Sequence, residues 1–301
     1  MAVNEEEKTL TSTASNGAQN LRRLLDGPEI LVCPVISDPL SARLSQQAGF
    51  PLALLGGFGI AAVGFAMPDA GLIDFSEVVT AVHNTCAAVP GFPIIADGDT
   101  GYGNAMNVRR TVKEFARAGA AVILIEDQLW PKKCGHYGGK REVIARAEAR
   151  LKIRAAVEAR NEAGADMLIL ARTDARSAIG FDEAMARCED FAAEGADIIF
   201  AEALETEAEL RSFGARFKTP KLANMMPKTP VKSRAELRAM GFNIVTYNVL
   251  VHAAIRAMQQ TLRALKGDDM ASAPPLASFD EVTGLVGLPD YLALEQRYKD
   301  G

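Results

Sequence analysis

"NEAGADMLILARTD", residues 161–174, passes from a polar stretch through a glycine into the apolar run Met167 to Ala171 and ends on Arg172, Thr173 and Asp174. An apolar run without alternation suits a strand buried on both faces. A glycine just before it suits the left-handed position that closes a helix. The same phrase recurs as "QQAGFPLALLGG" (46–57), "ARAGAAVILIED" (116–127), "AAEGADIIFAEA" (192–203) and "RAMGFNIVTYN" (238–248). Such repetition predicts alternating helices and strands with a parallel sheet.

Adding "ILVCPV", "FPIIAD" and "PKLANMM" gives eight strand candidates, near 30–35, 51–56, 92–97, 121–127, 166–172, 197–203, 220–226 and 242–248. Between them, "NVRRTVKEFARAGA" after Asn104 and "FDEAMARCEDFAAEGA" from Phe181 carry apolar residues at helical spacing. The expected class is α/β, a closed (β/α)8 TIM barrel, with a doubly wound open sheet as the alternative. The chain is expected to form one barrel domain over 1–301, with a flexible start at 1–16 and a helical extension at 272–301 that packs on a neighbouring subunit.

The composition, 49% hydrophobic and 24% charged with a formal net charge of -5, excludes a global basic field. No nucleic-acid partner is expected. No apolar run reaches the roughly 20 residues that span a bilayer, so no membrane role is expected. The polar, acidic opening "MAVNEEEKTLTSTASNGAQN" and the scattered cysteines 33, 86, 134 and 188 point to reduced thiols and a cytoplasmic location.

In such a barrel the chemistry gathers at the C-terminal ends of the strands. Strand three ends in Asp97 and Asp99, strand four in Glu126 and Asp127, strand five in Arg172 and Asp174, strand six in Glu202 and strand seven in Asn224. Acids converging on one mouth repel each other unless a cation lies among them, and oxygen ligands favour Mg2+, or Mn2+ in its place. "DGDTGYGN" (97–104) is glycine-rich but matches neither phosphate-binding fingerprint, so its glycines are expected to let the backbone approach a metal. The loop after strand four, "LWPKKCGHYGGK" (129–140), sets Cys134 beside Lys132, Lys133 and His136, surroundings that favour a reactive thiol. Gly135, Gly138 and Gly139 would let it move as a lid. Cys33, Cys86 and Cys188 read as core residues, and His83 and His252 as structural.

"DGDTGYGN", "IEDQ", "KKCGH", "ARTDA" and "EA", in this order, resemble the isocitrate lyase and phosphoenolpyruvate mutase superfamily. The "KKCGH" block is similar to the branches of 2-methylisocitrate lyase, dimethylmalate lyase and carboxyphosphonoenolpyruvate mutase. The resemblance implies a barrel homotetramer with its last helix exchanged between subunits, acting with Mg2+ on a small anionic carboxylate. It implies Asp97 as direct metal ligand, with Asp69, Asp99 and Glu126 holding the metal's waters. Arg172 would bind the substrate oxyanion, and Gly56, Gly57, Gly135, Glu202 and Asn224 would line the pocket. Cys134 would be the general acid, with His136 and Glu126 beside it as catalytic groups.

Two stretches depart from the pattern. "LLGGFG" puts Leu54 where the lyases have a tyrosine and Gly56 where they have a serine, and its Gly56-Gly57 pair resembles the oxaloacetate decarboxylase branch. "NMMPKTPVKS" lacks the acidic and glycine residues found in many relatives, and Tyr137 is atypical after "KKCGH". The expected activity is Mg2+-dependent C–C cleavage of a 2-hydroxy di- or tricarboxylic acid into a 2-keto acid and a carboxylate. The alternatives are P–C bond formation as in the phosphonomutases, decarboxylation or hydrolysis of oxaloacetate, and a non-catalytic barrel.

Overall fold

The computed structural model describes residues 16–134, 141–225, 229–230 and 232–299. Eight strands, β1 (Leu31–Ile36), β2 (Ala53–Leu55), β3 (Ile94–Asp97), β4 (Val122–Glu126), β5 (Leu168–Thr173), β6 (Ile198–Ala201), β7 (Leu222–Asn224) and β8 (Ile244–Tyr247), match the eight expected. They run parallel in the order β6-β5-β4-β3-β2-β1-β8-β7. The remaining seam between β6 and β7 is joined by a parallel bridge between Ile199 and Lys221, with the Ile199 N–H donating to the Pro220 carbonyl at 2.9 Å. The sheet closes as a (β/α)8 barrel, and the open-sheet alternative falls.

Helices fill the intervals for reasons visible in the chain. The helix Ala105–Arg117 starts where the Asn104 side chain accepts from the Met106 and Asn107 N–H groups, and the Asp74 and Thr206 side chains cap Phe75–Ala88 and Glu207–Arg216 likewise. The five helix-ending glycines, 49, 119, 164, 195 and 241, all adopt positive φ, from 59° to 97°.

Strand periodicity decides what the barrel holds. Leu31, Cys33 and Val35 of β1, Val122 and Leu124 of β4, Leu168 and Leu170 of β5, and Ile198 and Phe200 of β6 belong to one buried core inside it. Alternate residues on a strand face the same side. The next inward positions are therefore Glu126, Arg172 and Glu202, while Ile95 leads to Asp97, Leu54 to Gly56, Leu222 to Asn224 and Ile244 to Thr246.

The chain divides into two compact units, one ending at Asn248 and one starting at Val249. The first contains all eight strands. The second contains the helices Leu250–Lys266, Phe279–Leu285 and Leu288–Lys299. The segment expected to be flexible at 1–16 lies, but for Asn16, outside the described residues.

Near the seam, the helix Glu207–Arg216 approaches the turn into β8 so closely that a Cβ on Gly214 would lie 1.9 Å from the Met240 carbonyl oxygen. Gly214→Ala is expected to destabilise the protein by about 1–3 kcal/mol through overpacking, read as a fall in denaturant midpoint. Gly64→Ala, where a Cβ meets nothing within 4 Å, is the control and is expected to be neutral or stabilising.

Candidate active site

The inward positions meet at the C-terminal ends of the strands in a cavity whose walls include Asp97, Glu126, Arg172, Glu202 and Asn224, with Cys134 above them. Its lower wall is apolar, formed by Val35, Leu54, Leu124, Phe200 and Leu222. Leu54 stands in that wall, where the resemblance expects a tyrosine.

Asp97 ends β3 and accepts two backbone N–H groups, from Gly57 at 3.1 Å and from Asp99 at 3.1 Å. Gly57 opens the helix Gly57–Phe65, so a helix N-terminus faces this carboxylate. A Cβ on Gly57 would lie 3.2 Å from Lys132 Nζ, 3.3 Å from Asp99 Oδ1 and 3.4 Å from Asp97 Oδ2, so only hydrogen leaves this corner open. The turn to Asp99 is tight: Gly98 donates to the Leu124 carbonyl at 2.8 Å, and Asp99 holds a left-handed φ of 47°. Its backbone carbonyl accepts from the Glu126 N–H at 2.8 Å, which locks the ends of β3 and β4 together.

Lys132 is the residue the sequence undervalued. In the sequence it is one of several positive neighbours of Cys134, yet its side chain is 4% exposed and its ammonium lies between Asp99 Oδ1, at 2.6 Å, and Asp69 Oδ1. Burial alone would lower its basicity, but Asp99, Asp97 and Asp69 outweigh that and hold it well above the ordinary lysine value. Burial likewise pushes the Asp99 carboxyl up to about 6, against the pull of Lys132. Lys133, by contrast, is exposed. The Cys134 N–H donates to the Asp69 backbone carbonyl at 3.0 Å, and the Lys133 N–H to the Gln128 side chain at 3.1 Å. The thiol-bearing residue is thus buried and held at the cavity. His136, Gly135 and the remaining loop glycines lie outside the described residues.

Across the cavity, Arg172 reaches Glu126 Oε2 at 3.3 Å and lies over the Phe200 ring at 5.5 Å from its centroid. Asp174 grips its Nε and Nη2 at 2.9 Å each. Burial pushes the Glu126 carboxyl well above the usual range, with Arg172 pulling the other way. Asn224 donates to Glu202 at 3.4 Å and accepts from the Thr246 hydroxyl at 3.1 Å. Asp127, one residue out of the inward register, is turned away. It accepts from Thr173 Oγ1 at 2.6 Å, the Asp174 N–H at 2.9 Å and Arg187 at 3.0 Å, and so braces β5 from behind.

Cys33 and Cys188 are fully buried, and burial pushes both thiols up. Cys86 is half-buried, and burial raises its thiol to about 12. His83 sits exposed on the helix Phe75–Ala88, and His252 belongs to the second unit. Neither lines the cavity.

The donor set fits a hard divalent cation. Around the cavity Asp69, Asp97, Asp99, Glu126 and Glu202 outnumber the cations that pair with them, Lys132 and Arg172, and Glu126 Oε1 is buried without a hydrogen-bond partner among the described residues. Also among them, no three Asp, Glu, His or Cys side chains are grouped to hold one ion. A cation held by one carboxylate, with waters between it and the other acids, satisfies both facts, and Mg2+ favours that coordination.

Comparison with known proteins agrees with this geometry. Residues 21–266 match the family model described as phosphoenolpyruvate phosphomutase. The chain belongs to that family. It is 40% identical over 291 residues to 2,3-dimethylmalate lyase of Eubacterium barkeri, covering 95% of this chain and 99% of the relative. It is 42% identical over 276 residues to 2-methylisocitrate lyase of Aeropyrum pernix, covering 90% of this chain and 87% of the relative. A solved structure of phosphonopyruvate hydrolase, in complex with oxalate and Mg++, superposes with a TM-score of 0.83 at 30% identity, covering 94% of this chain and 99% of that one. The superfamily expected from "DGDTGYGN" and "KKCGH" is the one found.

Lys132→Ala would leave Asp69 and Asp99 buried without their counter-charge. Removing one partner of a buried ion pair costs about 3–5 kcal/mol. Urea denaturation in the presence of a chelator is expected to show a loss of that size, whereas Lys133→Ala, at an exposed position, is expected to change stability by less than about 0.5 kcal/mol.

Proposed function

We propose that this phosphoenolpyruvate phosphomutase family member is a Mg2+-dependent carbon–carbon lyase. Its substrate is a 2-hydroxy di- or tricarboxylate like 2-methylisocitrate or dimethylmalate, and its products are a 2-keto acid and a carboxylate. The observation that carries the reading is that Cys134 lines one cavity together with Asp69, Asp97, Glu126 and Arg172. The similarity to lyases at 40% and 42% identity supports it.

In this reading Asp97 ligates the metal directly, and Asp69, Asp99 and Glu126 hold it through water. Mg2+ bound there supplies Lewis-acid stabilisation of the substrate's carboxylate and hydroxyl oxygens. Arg172, its plane fixed by Asp174 and by Phe200, binds the oxyanion of the keto-acid half from the cavity wall, where its Nη1 also faces Glu126 Oε2 at 3.3 Å. The hydroxyl proton passes to the Glu126 carboxylate, which lines the cavity, and the C–O bond becomes a carbonyl. The C–C bond breaks, and its electron pair moves to the carbon beside the second carboxylate. Cys134 gives its thiol proton to that carbon, a general-acid step usually worth about 10²–10⁴-fold. Gly56 and Gly57 keep the helix N-terminus close to the reacting acid, with Glu202 and Asn224 completing the wall.

A cytoplasmic setting fits four cysteines that form no disulfide. The described residues also contain no helix long and apolar enough to cross a membrane.

A panel of 2-hydroxy acids, oxaloacetate and phosphonates, assayed for 2-keto acid with Mg2+ and again with a chelator, tests the function. Keto acid from a 2-hydroxy acid, lost with chelator, is expected. Turnover of oxaloacetate alone would instead support the reading that Gly56 and Gly57 favour. On the substrate found, Cys134→Ser is expected to bind normally but turn over about 10²-fold more slowly, because a hydroxyl is a far weaker acid than a thiol. Turnover at the wild-type rate would remove Cys134 from the chemistry.

We further infer a homotetramer held by the C-terminal extension, where Leu276, Phe279 and Tyr298 are 63%, 81% and 81% exposed. Truncation after Ala271 is expected to shift the mass in light scattering from tetramer to a smaller species.

A further inference from the structure

Arg141 stands outside the cavity wall, yet it shares a carboxylate with the residue that would hold the substrate. Asp174 is fully buried, and its Oδ1 accepts from Arg172 Nη2, at 2.9 Å, and from Arg141 Nη1. Its Oδ2 takes Arg172 Nε. Arg141 is itself 8% exposed and sits 33 residues away in the chain, so this is a buried tertiary contact.

The charges make the arrangement consequential. Arg172 alone with Asp174 is a neutral pair, and Glu126 and Glu202 also border it. A guanidinium neutralised in this way offers an anion hydrogen bonds but little net attraction. Arg141 cancels Asp174, so these three groups sum to one positive charge instead of none, and Arg172, whose Nη1 faces Glu126 Oε2 at 3.3 Å, presents it at the cavity wall. In a buried setting such a charge is only weakly screened.

We propose that Arg141 sets the affinity of the cavity for anionic ligands, acting through Asp174 on Arg172. It is a positioning and charge-balancing residue and touches no substrate. The proposal rests on the reading above that Arg172 binds the substrate's oxyanion. It goes beyond that reading by assigning part of the binding strength to a residue outside the cavity.

Two substitutions separate charge from shape. Arg141→Gln keeps a side chain able to donate to Asp174 but carries no charge. Arg141→Lys keeps the charge and loses the planar fork. Oxalate binding is measured by calorimetry in the presence of Mg2+ on the full-length protein and both variants, with thermal melts to confirm folding. The glutamine variant is expected to bind oxalate about tenfold more weakly, and the lysine variant within about threefold of wild type. In turnover assays the glutamine variant is expected to show a raised KM with kcat within about threefold. Wild-type affinity in the glutamine variant, or equal losses in both variants, would overturn the proposal, because a role in shape alone spares glutamine at least as well as lysine. If neither variant folds, Asp174→Asn serves: without the carboxylate charge, oxalate is expected to bind as tightly as to wild type or tighter, and a tenfold loss with an unchanged melt overturns the proposal. Wild-type protein that does not bind oxalate would remove the reading of Arg172 itself, and this inference with it.

Discussion

A strand in a closed barrel must send every second side chain inward, and that constraint organises this molecule from its core to its chemistry. Lower in the barrel the inward positions are Ile95, Val122, Leu168, Ile198 and Leu222, which fill the interior. Two or four residues further on they become Asp97, Glu126, Arg172, Glu202 and Asn224. The same alternation that buries the core therefore delivers five polar groups to one mouth. A one-residue slip on any strand would turn its polar residue outward, so the register that stabilises the core also guards the site.

Concentrating acids in a buried place creates the electrostatic problem that the rest of the site answers. Lys132 answers it on the β3 side, reaching in from the loop after β4 to Asp69 and Asp99. Arg172 answers it on the β5 side, against Glu126 and Asp174. Behind β5, Arg187 neutralises Asp127, which in turn holds Thr173 and the Asp174 backbone. Apart from Arg172–Asp174, these contacts join distant stretches of chain, so the charges at the cavity also fix the strand ends around it. Breaking one such buried contact costs more than forming it gains, which ties the integrity of the mouth to its electrostatic completeness.

The barrel was legible in the sequence because its signals are local. A helix-ending glycine followed by an unbroken apolar run needs only neighbouring residues to declare itself, and Gly49, Gly119, Gly164, Gly195 and Gly241 all take the left-handed conformation expected of them. Asp97, Glu126 and Glu202 were legible as cavity-lining acids for the same reason, as polar residues at strand ends. Three features were not. Asp127 is an acid directly after Glu126, and its bracing role shows only in its partners, Thr173, the Asp174 backbone and Arg187. Lys132 reads as a loop lysine until the fold brings Asp69 and Asp99 around it. Arg141 lies 33 residues from Asp174, and no spacing rule links the two. What depended on strand geometry could be read, whereas what depended on distant side chains meeting could not.

Asp69 shows how far that second kind of information matters. It lies in no strand, yet it is 5% exposed, and its two polar ends act on different parts of the site. Its carboxylate receives Lys132, while its backbone carbonyl receives the N–H of Cys134. Lys132 and Cys134 are two residues apart, so one residue fixes both ends of the segment that carries the thiol. The donor proposed to deliver a proton and the acids proposed to surround the metal are thereby set in position relative to each other by a single loop residue. A shift of the Asp69 backbone would move the thiol and the ammonium together, and the cavity would lose its proposed proton donor and its charge balance at once.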